Sequence, residues 1–268
     1  MTTTLIAIGG ALHEEDPKIF REFIRLAGGE AARIVIFPQA SGLAETGREY
    51  QTTLQNLGVR EAPVVIEFRD RAGAASADAL GAVREATGVF FSGGTQMRLS
   101  SLLGGTAMER ELLAAYRRGA VVGGTSAGAA ILSRVMIADG RRGATPRGRA
   151  AQICGGLGFT DQIIFDQHFR QRDRLGRLLY AIAMHPGYLG VGVDENTAAI
   201  IENETCLRVV GQNAVTVVDG RTISATNVAE ISRSQPVAVS GATVHVLTEG
   251  CAFDLRSRQG EIPKLVLE

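Results

Sequence analysis

The chain has 268 residues, 28 of them basic and 28 acidic, so its formal net charge is zero and its pI about 6.9. Apolar residues make up 45% and charged residues 21%, near the globular average, which excludes general disorder. Zero net charge excludes a protein that grips nucleic acid or an anionic membrane through its overall field.

Leu5–Ile8 reads as a short apolar strand ending in Gly9-Gly10. Asp16-Pro17 then opens a helix, with Asp16 as N-cap and Pro17 at the first helical position. Ile19, Phe20, Phe23, Ile24 and Ala27 follow at helical spacing, and Gly28 stops the helix. Arg33–Phe37 is a second strand, Ala44–Leu57 a helix closed by Gly58, and Pro63–Glu67 a third strand. A helix over Ser76–Ala86 leads to a strand at Gly88–Ser92. A helix over Thr106–Arg118 leads to a strand at Ala120–Gly123. Strands that are apolar throughout and alternate with helices predict βαβ units and a mostly parallel sheet with helices on both faces. Ligands in such sheets bind beyond the carboxyl ends of the strands.

After about residue 135 the pattern changes. Ala138–Gly158, rich in glycine and arginine, reads as a loop region. Ile163–Phe165 is a short strand and Arg172–Ala183 a helix. From Leu189 the segments YLGVGV, TAAII, CLRVV, AVTVVD and TVHVL read as additional C-terminal strands. No internal repeat and no Pro- or Ser-rich linker divides the chain, so one domain over residues 1–268 is expected. No apolar run approaches 18 residues and no signal peptide opens the chain, so the expectation is a cytoplasmic protein outside the membrane. Cys154, Cys206 and Cys251 have no metal-like spacing and are expected as buried thiols in a reducing compartment.

Glycine is the compositional outlier: 33 residues, about 12% against a usual ~7%. Many come in pairs just after apolar runs, where the backbone must turn tightly or approach something closely. The pair Gly123-Gly124 leads into Gly124-Thr125-Ser126-Ala127-Gly128, a G-x-S-x-G turn between a strand and a short helical run over Ala127–Leu132. In that context the serine sits on a sharp elbow that pushes its hydroxyl out of the sheet, and amides beyond it face a developing oxyanion. A nucleophilic serine needs a base. His168 follows the strand IIF at its carboxyl end; His13, His185 and His245 read as surface or satisfied core histidines. Glu195, after the strand LGVGV, is the candidate for the orienting acid, in competition with Asp139, Asp161 and Asp166. Ser92-Gly93-Gly94-Thr95-Gln96 offers bare glycine amides at another strand end. Arg170, Arg172, Arg174 and Arg177 crowd near His168. Arg170, Arg174 and Arg177 would share one face of a helix, and such a cluster suits carboxylate recognition.

Together these segments resemble the cyanophycinase branch of the S51 serine peptidase family. The match is carried by GGTSAGAAILSRVMI (123–137), GLGF (156–159) with DQHFRQRDRLGRLLYAI (166–182), FFSGGTQMRL (90–99) and GVDENTA (192–198). Weaker similarity covers nearly the whole chain. The DQHF-x-QR-x-RLGRL run separates this branch from the family's dipeptidases. The resemblance implies an α/β fold similar to class I glutamine amidotransferases (flavodoxin-like), as a homodimer. It implies a catalytic triad of Ser126, His168 and Glu195, which selects Glu195 among the acids. It places the oxyanion hole at the amides of Gly94 and Ala127 and substrate contacts at Gln96, Asp166, Gln167, Arg172, Arg174 and Arg177. It implies no metal and no organic cofactor. The substrate implied is cyanophycin, a poly-aspartate with arginine on each β-carboxyl, cut between aspartates to β-Asp-Arg. Ala138–Arg149 departs from the family pattern. Two other readings compete: a dipeptidase on small Asp-X or isoaspartyl peptides, and a catalytically silent binding protein.

Overall fold

The computed structural model describes residues 2–12, 17–232 and 234–263. The N-terminal half runs β1 (Thr4–Ile8), α1 (Lys18–Leu26), β2 (Ile34–Phe37), α2 (Thr46–Asn56), β3 (Val64–Val65), α3 (Ala77–Glu85), β4 (Gly88–Phe91), α4 (Gln96–Leu103), α5 (Ala107–Arg117) and β5 (Val121–Thr125). Then come α6 (Ala127–Ala130), β6 (Val135–Gly140), β7 (Ala151–Gly155), β8 (Ile163–Gln167), α7 (Leu175–Met184) and β9 (Leu189–Val193). The remainder is β10 (Thr197–Glu202), β11 (Cys206–Gly211), β12 (Val215–Asp219), β13 (Ala225–Thr226), β14 (Val239–Ser240), β15 (Thr243–Leu247), β16 (Ala252–Asp254) and β17 (Gln259–Glu261).

The central sheet has the order β3-β2-β4-β5-β1-β10-β11-β16-β17. From β3 to β1 every neighbour is parallel, as the βα alternation predicts; from β1 onward the C-terminal strands extend the sheet in antiparallel fashion. The order β3-β2-β4-β5 follows the doubly wound, flavodoxin-like pattern, with its reversal point between β2 and β4. The alternation of side chains on each strand divides the core. Ile6, Ile8, Ile34, Ile36 and Phe90 pack under α1 and α2, against Phe20, Phe23, Ile24 and Leu54. Leu5, Ala7, Val35, Phe37 and Phe91 face the other way, toward Val83, Leu99, Leu112 and Tyr116 of α3, α4 and α5.

A second sheet, β15-β12-β9-β8, stands on that latter face, with β8 and β9 parallel. Phe165, Val191, Val193 and Val217 join the same core as Leu5 and Phe91. Its outer side is covered by α7 through Leu178, Ala181 and Ile182. The segments IIF and LGVGV therefore belong to a sheet of their own.

Local departures have identifiable causes. Residues 138–158, expected as a loop, contain most of an antiparallel hairpin, β6–β7, with a register shift between Ile137 and Asp139. Glycine and arginine hid its strand character. The helix expected from Arg172 starts at Leu175, because Asp173 takes φ +48° and breaks the turn before it. Helix α4, a stretch to which the sequence pattern assigns no element, follows Thr95 directly. For α1, Pro17 stands at the N-cap and its carbonyl accepts from the Arg21 amide at 2.9 Å; the expected cap Asp16 lies outside the described residues. Cys251 is buried, whereas Cys154 and Cys206 are half-buried; all three are free thiols. Among the described residues no helix is long and apolar enough to cross a membrane.

Candidate active site

Ser126 caps α6 with φ 54° and ψ −110°, a conformation that non-glycine residues adopt only under constraint. The elbow is possible because its neighbours lack side chains. A Cβ at Gly124 would lie 2.1 Å from the Gly128 carbonyl oxygen, and one at Gly128 would lie 2.2 Å from that of Phe91. The Ser126 Oγ stands 2.8 Å from His168 Nε2, and His168 Nδ1 stands 2.6 Å from Glu195 Oε1. The structure thus brings together the three residues expected from three separate strand ends: β5, β8 and β9.

The end of β1 joins them. Consecutive carbonyls of Ile8, Gly9 and Gly10 accept from the amides of Ser126 (2.9 Å), His168 (2.7 Å) and Asn196 (2.9 Å). The serine of one sheet and the histidine of the other hang on adjacent peptide groups, and the third bond fixes the residue after Glu195. Gly10 also makes room for the imidazole: at φ +102°, a Cβ there would sit 2.3 Å from His168 Cε1. The sequence signal for this joint is the pair Gly9-Gly10 after a strand, which by itself marks only a strand end.

None of the competing acids bonds the His168 ring, and neither does Asp194. Asp139 Oδ1 accepts from the Gly140 amide within the hairpin, and Asp161 is exposed. Asp194 is buried and holds the loops, accepting from the amides of Arg170 (2.9 Å) and Ala214 (3.3 Å). Of the other histidines, His185 ends α7, His245 meets Phe253 edge-on with its Nε2 buried and unpartnered, and His13 lies outside the described residues. Burial is the largest influence on His168 and holds its pKa below the usual value; the Glu195 hydrogen bond opposes this, and the charge of Arg172 adds to the lowering. The imidazole is therefore neutral at pH 7 and able to accept a proton.

Ser126 and His168 open into a cleft of about 830 Å³. Its wall includes Gly94, Tyr50 and Glu49 of α2, and Arg172. Burial, with the charge of Glu49 behind it, pushes the Tyr50 phenol up to about 12, so it stays neutral. Ala127 is the first residue of α6, where helix geometry leaves an amide without an intrahelical acceptor.

Of the six residues expected to contact substrate, Arg172 lines this cleft, Gln167 reaches the nucleophile, and the other four are bonded to protein groups. Gln167 Oε1 lies 3.4 Å from Ser126 Oγ and accepts from Arg174 Nη1 at 2.8 Å. Gln96 Nε2 donates to the carbonyls of Ile137 (3.0 Å) and Ala138 (2.7 Å), fixing α4 to the hairpin. Asp166 is 1% exposed and Arg177 3% exposed; Arg177 holds both carboxylate oxygens, with Nε at 2.7 Å from Oδ2. Arg174 adds a longer bond to Asp166 (3.4 Å) and a short one to the Gln167 carbonyl (2.5 Å). Burial lowers the Arg174 pKa to about 10, against the pull of Asp166, and it remains charged. The shared helical face expected for Arg170, Arg174 and Arg177 does not form, since α7 begins after Arg174; Arg170 points to solvent and the other two converge on Asp166. Among the described residues no group of three or more His, Cys, Asp or Glu side chains could hold a metal ion.

A serine on a strained elbow, an imidazole on its hydroxyl and a carboxylate behind the imidazole define the class as serine hydrolases. Comparison with known proteins narrows it. Residues 5–209 match Peptidase family S51. The chain is 39% identical over 258 residues to a cyanophycinase of Synechococcus elongatus, covering 95% of this chain and 80% of that one. It is 34% identical over 262 residues to a cyanophycinase of Geminocystis herdmanii, covering 97% and 96%. A solved peptidase from an acI-B1 Actinobacterium shares the fold, with TM-score 0.70 at 20% identity over 95% of this chain and 97% of that one. The chain belongs to peptidase family S51 and is a serine-type peptidase.

Proposed function

We propose that the chain is an exopeptidase of cyanophycin, releasing β-Asp-Arg, with Ser126, His168 and Glu195 as its catalytic residues. The observation that carries the reading is the unbroken relay from Ser126 Oγ to His168 (2.8 Å) to Glu195 (2.6 Å) at the floor of an open cleft. Similarity to the two cyanophycinases over nearly the whole chain supports the substrate.

In this reading Ser126 attacks the main-chain carbonyl between two aspartates while His168 Nε2 takes its proton. Glu195 holds the imidazole through Nδ1–H and stabilises the charge it gains. The amides of Gly94 and Ala127 receive the oxyanion. The imidazolium then protonates the leaving amine, and water, deprotonated by the same imidazole, resolves the acyl-enzyme on Ser126. Arg172 on the cleft wall pairs with a substrate carboxylate. Asp166, Gln167, Arg174, Arg177 and Gln96 act as positioning residues: they brace the strand end that carries His168 and the hairpin beside it. The family resemblance extends the proposal to a homodimer, and the sequence pattern extends it to the cytoplasm.

The test is mass spectrometry of products from purified cyanophycin. The wild type is expected to yield β-Asp-Arg, and Ser126→Ala to lose at least about 10⁴-fold in rate while keeping its fold. Activity on Asp-X dipeptides with none on the polymer would assign the chain to the dipeptidase reading instead.

A further inference from the structure

A second cleft, of about 740 Å³, lies at the same sheet edge and takes no part in the relay. It is formed by the loop after β2 (Pro38 to Ala44), the segment after β3 (Glu67 to Arg69) and the outer turns of α4 (Arg98, Ser101, Leu102). This is the reversal point of the doubly wound sheet. There the chain leaves β2 toward one face through α2 and leaves β4 toward the other through α4, so the loops part and leave a crevice.

The crevice carries both signs of charge. Glu67 and Arg69, two residues apart, are both exposed and both line it. Among the described residues neither makes an ion pair or a side-chain hydrogen bond. Arg98 has one guanidinium nitrogen on the Ser41 carbonyl at 2.9 Å. Gln39, in the wall and 8% exposed, donates Nε2 to the Ile66 carbonyl at 2.6 Å, while its Oε1 is buried without a partner. That acceptor is unsatisfied and closed to solvent in the wall of the crevice.

The two clefts share a wall. The Thr95 amide donates to the Ala40 carbonyl at 2.9 Å, which ties the Gly93-Gly94 turn of the first cleft to the loop that lines the second, and Ser41 is bonded to Thr46 at the start of α2 at 2.7 Å. A chain lying in the first cleft need only cross this turn to reach the second.

We infer that the crevice at Glu67, Arg69 and Arg98 is a secondary subsite that holds arginyl-aspartate units of the polymer several residues away from the bond being cut. The inference rests on the polymer reading above. Each such unit presents one guanidinium and one carboxylate, so Glu67 takes the guanidinium and Arg69 the carboxylate. Binding at the second cleft raises the effective concentration of the same chain at the first.

The experiment compares wild type with the double variant Glu67→Gln/Arg69→Ala on two substrates: full-length polymer and a chain of two arginyl-aspartate units, too short to occupy both clefts. KM for the polymer is expected to rise about tenfold, from two exposed charge contacts acting together, while kcat on both substrates and KM for the short chain stay unchanged. An unchanged KM for the polymer, or equal losses on both substrates, overturns the subsite. A wild type that cuts the short chain and leaves the polymer intact overturns the polymer reading itself. If the double variant unfolds early in a thermal melt, the charge reversal Arg69→Glu replaces it and the same length-dependent KM is read.

Discussion

The nucleophile and its base stand in contrasting parts of the molecule. Ser126 is placed by its own neighbourhood: strand β5, two glycines that allow the turn, and four helical residues. His168 and Glu195 are placed from afar, on parallel strands of a second sheet whose position depends on docking against the first. What joins the two regions is three successive carbonyls at the end of β1. The lesson is that the serine is coded locally while the relay is coded by the packing of two sheets. Damage on the second-sheet side should therefore impair the relay and leave the elbow standing.

The largest such effect is expected at Asp166. Replacing it by Ala strands Arg174 and Arg177 as buried unpaired cations, which costs about 3–5 kcal/mol of stability. Denaturant unfolding checks this; a loss under about 1 kcal/mol would mean the brace carries little of the fold. Next comes Gly10→Ala. Its Cβ would meet the His168 ring at 2.3 Å, so the imidazole or the β1 end must shift. A displacement of that kind costs about 100-fold in kcat, and the positive φ adds a stability loss of about 1–3 kcal/mol. Unaltered turnover would show that the joint tolerates a side chain.

The smallest effect is on pH dependence. His168 acts as a base when neutral, so activity falls as pH drops through its pKa. Burial and then Arg172 set that pKa below 6.5, against the Glu195 bond. The acidic limb of kcat/KM therefore lies below the usual histidine range. Removing Arg172 as Arg172→Ala takes away a lowering influence, and the limb is expected to move to higher pH. A limb that stays in place or moves down would show that the Arg172 charge does not reach the imidazole.

The same contrast decides what was legible in the sequence. The parallel half was readable because each strand is apolar and each helix periodic, and the elbow because its signal is five consecutive residues. The pairing of β8 with β9 in a separate sheet was not, since an apolar run does not state which sheet it joins. The hairpin β6–β7 was masked by glycine and arginine. Arg174 and Arg177 were read as a helical face but meet through Asp166, eight and eleven residues before them in the chain. The role of Gly9-Gly10 became visible only once His168 lay against it.

The most direct measurement is labelling with a fluorophosphonate followed by peptide mapping. The account predicts one phosphonyl group, on Ser126, with loss of cyanophycin hydrolysis in step with labelling and no label on Ser126→Ala. Inactivation that tracks modification of a different serine, or hydrolysis by Ser126→Ala at the wild-type rate, would contradict it.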